Sequence, residues 1–250
     1  MALALRVSRL THRYADTTAL HDVSLAVSAG SMLALVGESG SGKTTLLRTF
    51  NRTVEPARGS VFVGDDDVTT LDVVGLRRRV GYVPQSGGLL PHWTVERNVA
   101  LVPSLNGNAN PGLAAARALD VCGLAPNAFA HRYPHELSGG QRQRVAIARA
   151  LAGEQQVVLL DEAFSALDAI SRSDLLDAFA SIHAALGFTA VLVTHDLGEA
   201  IRLADAIDVM RLGRIEQIGV VRDLIDRPSS PYVQALVDRA RASARLLADA

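Results

Sequence analysis

An α/β fold is predicted by three features of this sequence. Short continuous apolar runs at residues 32–36, 157–160 and 189–193 read as strands buried on both faces of a sheet. A glycine-rich turn lies between the first run and residues 44–51, which read as the helix that the turn opens. Polar pairs stand at the ends of the other two runs, Asp161-Glu162 and His195-Asp196, and open α/β sheets hold their chemistry at such carboxyl ends.

The remaining elements follow from local pattern. Residues 1–30 alternate in apolar bursts, Leu3-Leu5-Val7 and Leu20-Val23-Leu25-Val27, with polar turns between, as antiparallel strands do. Between 98 and 137 the composition shifts to Ala, Asn, Pro and Gly, with a loop at 106–111 and a helix at 113–122. A further helix is expected at 141–151. Beyond Val209, a strand-turn-strand segment at 210–215 leads to a helix at 221–226, a Pro-Ser-Ser-Pro break and a final Ala/Arg-rich helix. No internal repeat is present.

Composition narrows the function. The 250 residues are 48% hydrophobic, enough for a sizeable core, and 25 Lys plus Arg stand against 26 Asp plus Glu. A net charge of −1 gives no general field for nucleic acid, so such a role needs a local patch. Arg142, Arg144 and Arg149 on one helix are the candidate, and the competing expectation is a solvated face or internal ion pairs. Cys122 is the only cysteine, which excludes an intramolecular disulfide and a thiolate cluster; its apolar run predicts a buried thiol. No apolar run approaches the roughly 20 residues that span a bilayer. The first residues lack the basic stretch of a secretory signal, and a cytosolic protein is expected.

Residues 37–44, Gly-Glu-Ser-Gly-Ser-Gly-Lys-Thr, fit the spacing GxxxxGK[ST]. A glycine-rich turn between a buried strand and a helix aims consecutive backbone N–H groups at phosphate oxygens, and the helix start adds partial positive charge. Gly37, Gly40 and Gly42 permit the close approach, with Glu38, Ser39 and Ser41 between them. Lys43 reaches the β- and γ-phosphates and the Thr44 hydroxyl serves Mg²⁺, with Thr45 next along the helix. About a hundred residues on, Leu137 is followed by Ser138, Gly139, Gly140 and Gln141.

That pair of motifs resembles the ATP-binding-cassette (ABC) ATPases, over nearly the whole chain. The resemblance implies a P-loop NTPase core with an antiparallel β subdomain and an inserted α-helical subdomain. It implies that Asp161 holds the Mg²⁺ shell, that Glu162 is the catalytic base, that Gln85 serves Mg²⁺ or water and relays strain, and that His195 contacts the γ-phosphate. Tyr14 matches the aromatic that stacks on adenine, and residues 165–168 match the loop linking two sites of a dimer. Ser138, Gly139, Gly140 and Gln141 act on the ATP held by another subunit, so an ATP-dependent dimer is implied, with ATP and Mg²⁺ as ligands. In domain terms it gives an ATPase domain at 1–220, a helical subdomain near 86–155 and a helical extension at 221–250.

A single set of motifs resembles the separate energising subunit of bacterial importers. Stretches 98–105, 131–137 and 166–172 are similar to the subgroup that drives uptake of glycine betaine, choline and related osmoprotectants. The implied partners are two transmembrane permease subunits and a solute-binding protein, the implied place the cytoplasmic face of the cell membrane. Another small solute, and a soluble non-transport ABC ATPase, are the alternatives. The permease is expected to dock around 85–97, where Trp93 is either core or contact. Ala163 stands where the family commonly has proline, predicting a more flexible turn, and Ser165 where it often has glycine. Regulatory nucleotide-sensing repeats, common in the subgroup, are not expected.

Overall fold

Backbone pairing accounts for the alternating start of the chain. β1 (Leu5–Tyr14) runs antiparallel to β2 (Thr17–Val27) and to β4 (Arg58–Val63), and β5 (Asp66–Asp67) completes the order β2-β1-β4-β5. Strict alternation would not bury both Val7 and Leu10. The β1–β2 register shifts between them, where Arg9 takes φ 49°, and this bulge turns both side chains inward.

The structure is a computed structural model that describes residues 2–248, with side chains described as far as residue 242. Of the predicted extension 221–250, residues 249 and 250 therefore lie outside the described residues. The chain divides into two units, named here for their place in the sequence: a terminal unit, residues 4–70 and 191–250, and a central unit, residues 71–190 with 1–3.

In the terminal unit, β3 (Met32–Val36) is buried at every position. It pairs parallel with β9 (Ala206–Arg211), which carries β10 (Arg214–Gly219) antiparallel at its edge. β8 (Thr189–Thr194) begins in the central unit and ends in this one, giving the order β10-β9-β3-β8. Ala34, Val36, Ile207 and Val209 share one face of β3 and β9. Against them pack Leu197 and Ala200 of α9 (Leu197–Leu203), Leu224 of α10 (Val221–Asp226), and Val233 and Val237 of α11 (Pro231–Ala248). Full burial of each valine, leucine or isoleucine among them contributes about 1.5–3 kcal/mol before entropy is charged against it.

In the central unit, α2 (Val73–Arg79) leads into β6 (Val80–Val83), which pairs parallel with β7 (Val157–Asp161). The run between them is helical: α3 (Val95–Val99), α4 (Leu101–Leu105), α5 (Pro111–Val121), α6 (Pro126–Phe129) and α7 (Gly139–Leu151). Asn98 is fully buried and organises the approach to it. Its Nδ2 donates to the carbonyls of Leu90, Trp93 and Thr94, and its Oδ1 accepts from Leu90 N–H. α8 (Ala169–Leu186) is capped by the Asp168 carboxylate, which accepts from Ser171 N–H and is held below the usual carboxylate range by it.

Cys122 is 2% exposed and burial pushes its thiol up to about 12, as the predicted buried thiol requires. Of the three arginines of α7, Arg142 is exposed and Arg144 and Arg149 are half-buried, and all three meet carbonyls where ion pairs were one expectation. Arg142 donates to the Leu137 carbonyl, Arg144 to that of Cys122, and Arg149 to those of Gly87 and Gly88.

Asp208 breaks the apolar pattern of β9. It lies opposite Leu35 and Ile218, is 1% exposed, its Oδ1 has no hydrogen-bond partner, and burial pushes its carboxyl up to about 7. A raised pKa means that the folded chain binds the proton more tightly. Its contribution to stability is whole below the ordinary value near 3.8 and is lost as pH rises through about 7, at about 1.4 kcal/mol per pH unit. Asp208→Asn, neutral throughout, is expected to gain thermal stability over the parent by several degrees more at pH 8 than at pH 5. Melting curves at the two pH values check this, and a pH-independent difference would contradict it.

Candidate functional site

Each predicted site residue is placed by the end of a strand or the start of a helix. In the terminal unit β3 delivers Gly37 against the backbone of Met210, so closely that a side chain there would meet the Met210 carbonyl. The turn closes at Gly42, φ 100°, the N-cap of α1 (Lys43–Thr49). A Cβ on Gly42 would stand 2.6 Å from the Ala19 carbonyl, so the position excludes any side chain. α1 has no acidic residue in its first turn and no side-chain cap. The N–H groups of a helix start have no intrahelical acceptor and suit an anion from outside.

Lys43 is only 4% exposed. Its Nζ donates to the Gly37 carbonyl at 2.7 Å, the Glu38 carbonyl at 2.8 Å and Ser41 Oγ at 3.3 Å. The ammonium is thus held inside the turn by the turn's own oxygens. Glu38, Ser39 and Gly40 are exposed, and Thr44 and Thr45 half-buried. Tyr232 of α11 accepts from Glu38 N–H at 3.1 Å, tying the last helix to the loop; burial raises its hydroxyl above the ordinary value. Sequence reasoning missed this tyrosine.

Tyr14, at the end of β1, is half-exposed, with the His12 ring edge-on at 4.6 Å between centroids. An exposed aromatic face held by a neighbour is suited to stacking on a base. His195 is exposed on the turn after β8. That turn is pinned beneath it: Thr194 Oγ1 donates to Glu199 Oε2 at 2.7 Å and accepts from Asp196 N–H.

In the central unit the end of β7 carries two consecutive carboxylates. Asp161 is 2% exposed, and Tyr82 Oη donates to its Oδ2 at 2.9 Å. Gln85 Nε2 donates to Glu162 Oε2 at 2.8 Å, bringing together two predicted residues that lie 77 positions apart. Glu162 has φ 48°, a left-handed conformation that a non-glycine residue adopts at a cost of order 1–3 kcal/mol. The turn after it is closed by Ser165, whose Oγ donates to the Glu162 carbonyl at 2.9 Å, a bond glycine could not make.

Ser138, Gly139, Gly140 and Gln141 form the start of α7, two residues earlier than the predicted helix. Ser138 is the N-cap of a capping box: its Oγ accepts from Gln141 N–H, and Gln141 Oε1 accepts from Ser138 N–H. Ser138 and Gly139 are exposed. Trp93, in the expected docking stretch, is half-buried with the Arg97 guanidinium 4.2 Å above its ring.

The donor chemistry suits a triphosphate and a hard divalent cation. Backbone N–H groups and a lysine are donors of the kind phosphates take; the Thr44 hydroxyl in the terminal unit and the Asp161 carboxylate in the central unit are each oxygen donors of the kind Mg²⁺ takes. Among the described residues no group of three or more His, Cys, Asp or Glu could hold a metal ion on its own account.

Comparison with known proteins gives the same direction. A family model described as ABC transporter matches residues 20–165. The carnitine transport ATP-binding protein OpuCA of Listeria monocytogenes is 40% identical over 240 residues, 95% of this chain and 60% of the relative. The chain thus spans about 60% of the length of that relative. The glycine betaine uptake system ATP-binding protein YehX of Escherichia coli is 41% identical over 245 residues, 97% of this chain and 79% of the relative. The sulfate/thiosulfate import ATP-binding protein CysA of Brucella melitensis is 44% identical over 239 residues, 94% of this chain and 66% of the relative. Among solved structures, the dimeric post-hydrolysis state of the ATP-binding cassette MJ0796 bound to ADP and Pi superposes with a TM-score of 0.78 at 30% identity. It covers 87% of this chain and 99% of the other.

The geometry of the turn carries a prediction. A Cβ at Gly40 meets nothing within 4 Å, whereas at Gly42 it meets the Ala19 carbonyl, and both glycines have positive φ. Gly40→Ala is therefore expected to cost about 1 kcal/mol of backbone strain, and Gly42→Ala to cost more through the added clash. At ~2–4 °C per kcal/mol for a chain of this size, thermal melts should separate the two. Equal melting temperatures would mean the loop yields at Gly42.

Proposed function

Because this chain belongs to the ABC transporter family, we propose that it is the ATP-hydrolysing subunit of an importer for an osmoprotectant such as glycine betaine or choline. The observation that carries the reading is the Gln85–Glu162 hydrogen bond, in a chain that also holds a closed phosphate turn and an exposed, capped Ser-Gly-Gly-Gln helix start. Residues 1–220 would be the ATPase domain, with the helical subdomain near 86–155, and 221–250 the extension. No helix of the described residues is long and apolar enough to cross a membrane. Attachment at the cytoplasmic face would come from two permease subunits, docked around 85–97, with a solute-binding protein delivering cargo to them.

In this reading the turn at 37–42 receives the phosphates of ATP on its N–H groups, and Lys43 balances charge on the β- and γ-phosphates. Tyr14 stacks on adenine. Thr44, Gln85 and Asp161 are the residues that would hold Mg²⁺, which would supply charge neutralisation at phosphate oxygens. Glu162 accepts a proton from the attacking water. The water oxygen bonds to the γ-phosphorus as the bond to the β-bridging oxygen breaks, and ADP and phosphate leave. Gln85 restrains Glu162 until it turns to the nucleotide, and His195 contacts the γ-phosphate. Ser138, Gly139, Gly140 and Gln141 of one copy face the γ-phosphate held by a second, so two ATP close a dimer and hydrolysis reopens it.

The solute assignment is supported by what the OpuCA and YehX relatives are named for. The CysA relative keeps open the second reading, another small solute, because the chain's own residues touch phosphate and permease but not cargo.

Glu162→Gln is expected to bind ATP like the parent and to lose about 10²- to 10⁴-fold in turnover. Hydrolysis at the parent rate would remove Glu162 from the role of base. Ser138→Arg should abolish turnover while the isolated chain keeps its ATP affinity, measured by equilibrium binding; weakened binding to the single chain would contradict action on a second copy. Uptake of radiolabelled glycine betaine and choline after an osmotic upshift, in cells lacking the gene, should return with the parent and not with Glu162→Gln. Unchanged uptake beside intact ATP hydrolysis would transfer the assignment to another solute.

A further inference from the structure

Tyr82 takes no part in the chemistry described above, yet it touches the carboxylate at its centre. The β6–β7 register sets Tyr82 opposite Leu159. Asp161 is two residues beyond Leu159 and so on the same face of β7, one pleat further along. The phenol spans that step and donates to Asp161 Oδ2 at 2.9 Å. Its direction is fixed from the other side of the strand. Gly81 takes the opposite face, where α7 lies so close that a Cβ would run into the Ala150 carbonyl. β6 is therefore clamped to α7 on one face and presents Tyr82 on the other. Three residues on, Gln85 donates to Glu162 Oε2 at 2.8 Å. One short segment, 82–85, grips both carboxylates at the end of β7.

We propose that Tyr82 is a positioning residue for the divalent cation, acting through Asp161. A neutral hydroxyl donating to a carboxylate makes a charge-assisted bond. It engages one oxygen of Asp161 and restrains the rotation of the carboxylate. Asp161 is 2% exposed, so water is a poor substitute for the phenol. Outer-shell partners of this kind typically change metal affinity by about 10- to 100-fold when removed. The arrangement also joins cation and base mechanically, since a displacement of 82–85 moves the donors of Asp161 and Glu162 together. The proposal rests on the reading of Asp161 as a residue that holds Mg²⁺.

Tyr82→Phe removes the hydroxyl and keeps the ring. Binding of Mn²⁺, read from the electron paramagnetic resonance signal of the free ion, is to be measured on the full chain with a non-hydrolysable ATP analogue, for the parent, Tyr82→Phe and Asp161→Ala. The expected result is about a tenfold loss of Mn²⁺ affinity in Tyr82→Phe and a larger loss in Asp161→Ala. Nucleotide affinity in EDTA should be unchanged by Tyr82→Phe, and the Mg²⁺ concentration for half-maximal hydrolysis should rise in step with the Mn²⁺ loss. Parent-like Mn²⁺ affinity in Tyr82→Phe, with the loss confined to Asp161→Ala, overturns the role of Tyr82 and leaves the Asp161 reading standing. Parent-like affinity in Asp161→Ala overturns that reading and the proposal with it.

Discussion

The Lys43 ammonium is 4% exposed, and an ammonium taken out of water without partners carries a penalty of several kcal/mol. The loop from Gly37 to Gly42 is shaped by that requirement. Its carbonyls at Gly37 and Glu38 must turn inward toward Nζ, and a turn whose carbonyls point in over successive residues needs the backbone freedom that glycine gives at 40 and 42. Two N–H groups of the turn are likewise engaged, that of Glu38 by Tyr232 Oη and that of Ser41 by the Glu38 carbonyl, so the turn's shape is held by its own polar groups and by the last helix. β3 anchors one end of the turn by full burial, and α1 the other through Leu46, Leu47 and its C-cap Phe50, all fully buried.

The end of β7 poses the opposite electrostatic problem. Two adjacent carboxylates emerge from an apolar strand, and like charges this close oppose each other unless donors meet them. One donor to each comes from β6 and the residues after it, Tyr82 for Asp161 and Gln85 for Glu162. The strained backbone of Glu162, φ 48°, is the cost of turning the second carboxylate toward that segment and away from the first. Ser165 holds the strained turn shut by bonding the Glu162 carbonyl. The alanine at 163, which the sequence suggested would loosen this turn, is 2% exposed beside a fully buried Phe164, so the turn is packed from beneath as well as hydrogen-bonded from above.

Continuous apolar runs were the most legible part of the chain. The strands expected at 32–36, 157–160 and 189–193 match β3, β7 and β8 to within a residue, and the helix at 221–226 matches α10, because burial on both faces or a Pro-bounded amphipathic turn leaves a local signature. α7 begins at Gly139 and not at Gln141 because a serine cap outweighs the low helix propensity of two glycines. α8 was not anticipated, although Leu175, Leu176, Phe179 and Ile182 recur at helical spacing behind the Asp168 cap. At the site, spacing sufficed to single out Gln85 and Glu162 but not that they bond each other. It gave no sign of Tyr82 or Tyr232, whose partners are set by sheet register and helix docking. Carbonyl acceptors are equally invisible in sequence, which is why the arginines of α7 looked like a charged stripe.

The start of α7 shows what the Ser-Gly-Gly-Gln motif offers to a second copy on the proposed reading. The capping box satisfies the N–H groups of Ser138 and Gln141 with side chains from within the motif. Those of Gly139 and Gly140 belong to the first helical turn, where no carbonyl of the same helix can accept them. Neither residue has a Cβ to shield them, and Ser138 and Gly139 are exposed. The motif is built so that its own side chains are occupied and two bare donors remain at the positive end of a 13-residue helix. On the proposed reading these donors meet a phosphate that another copy presents.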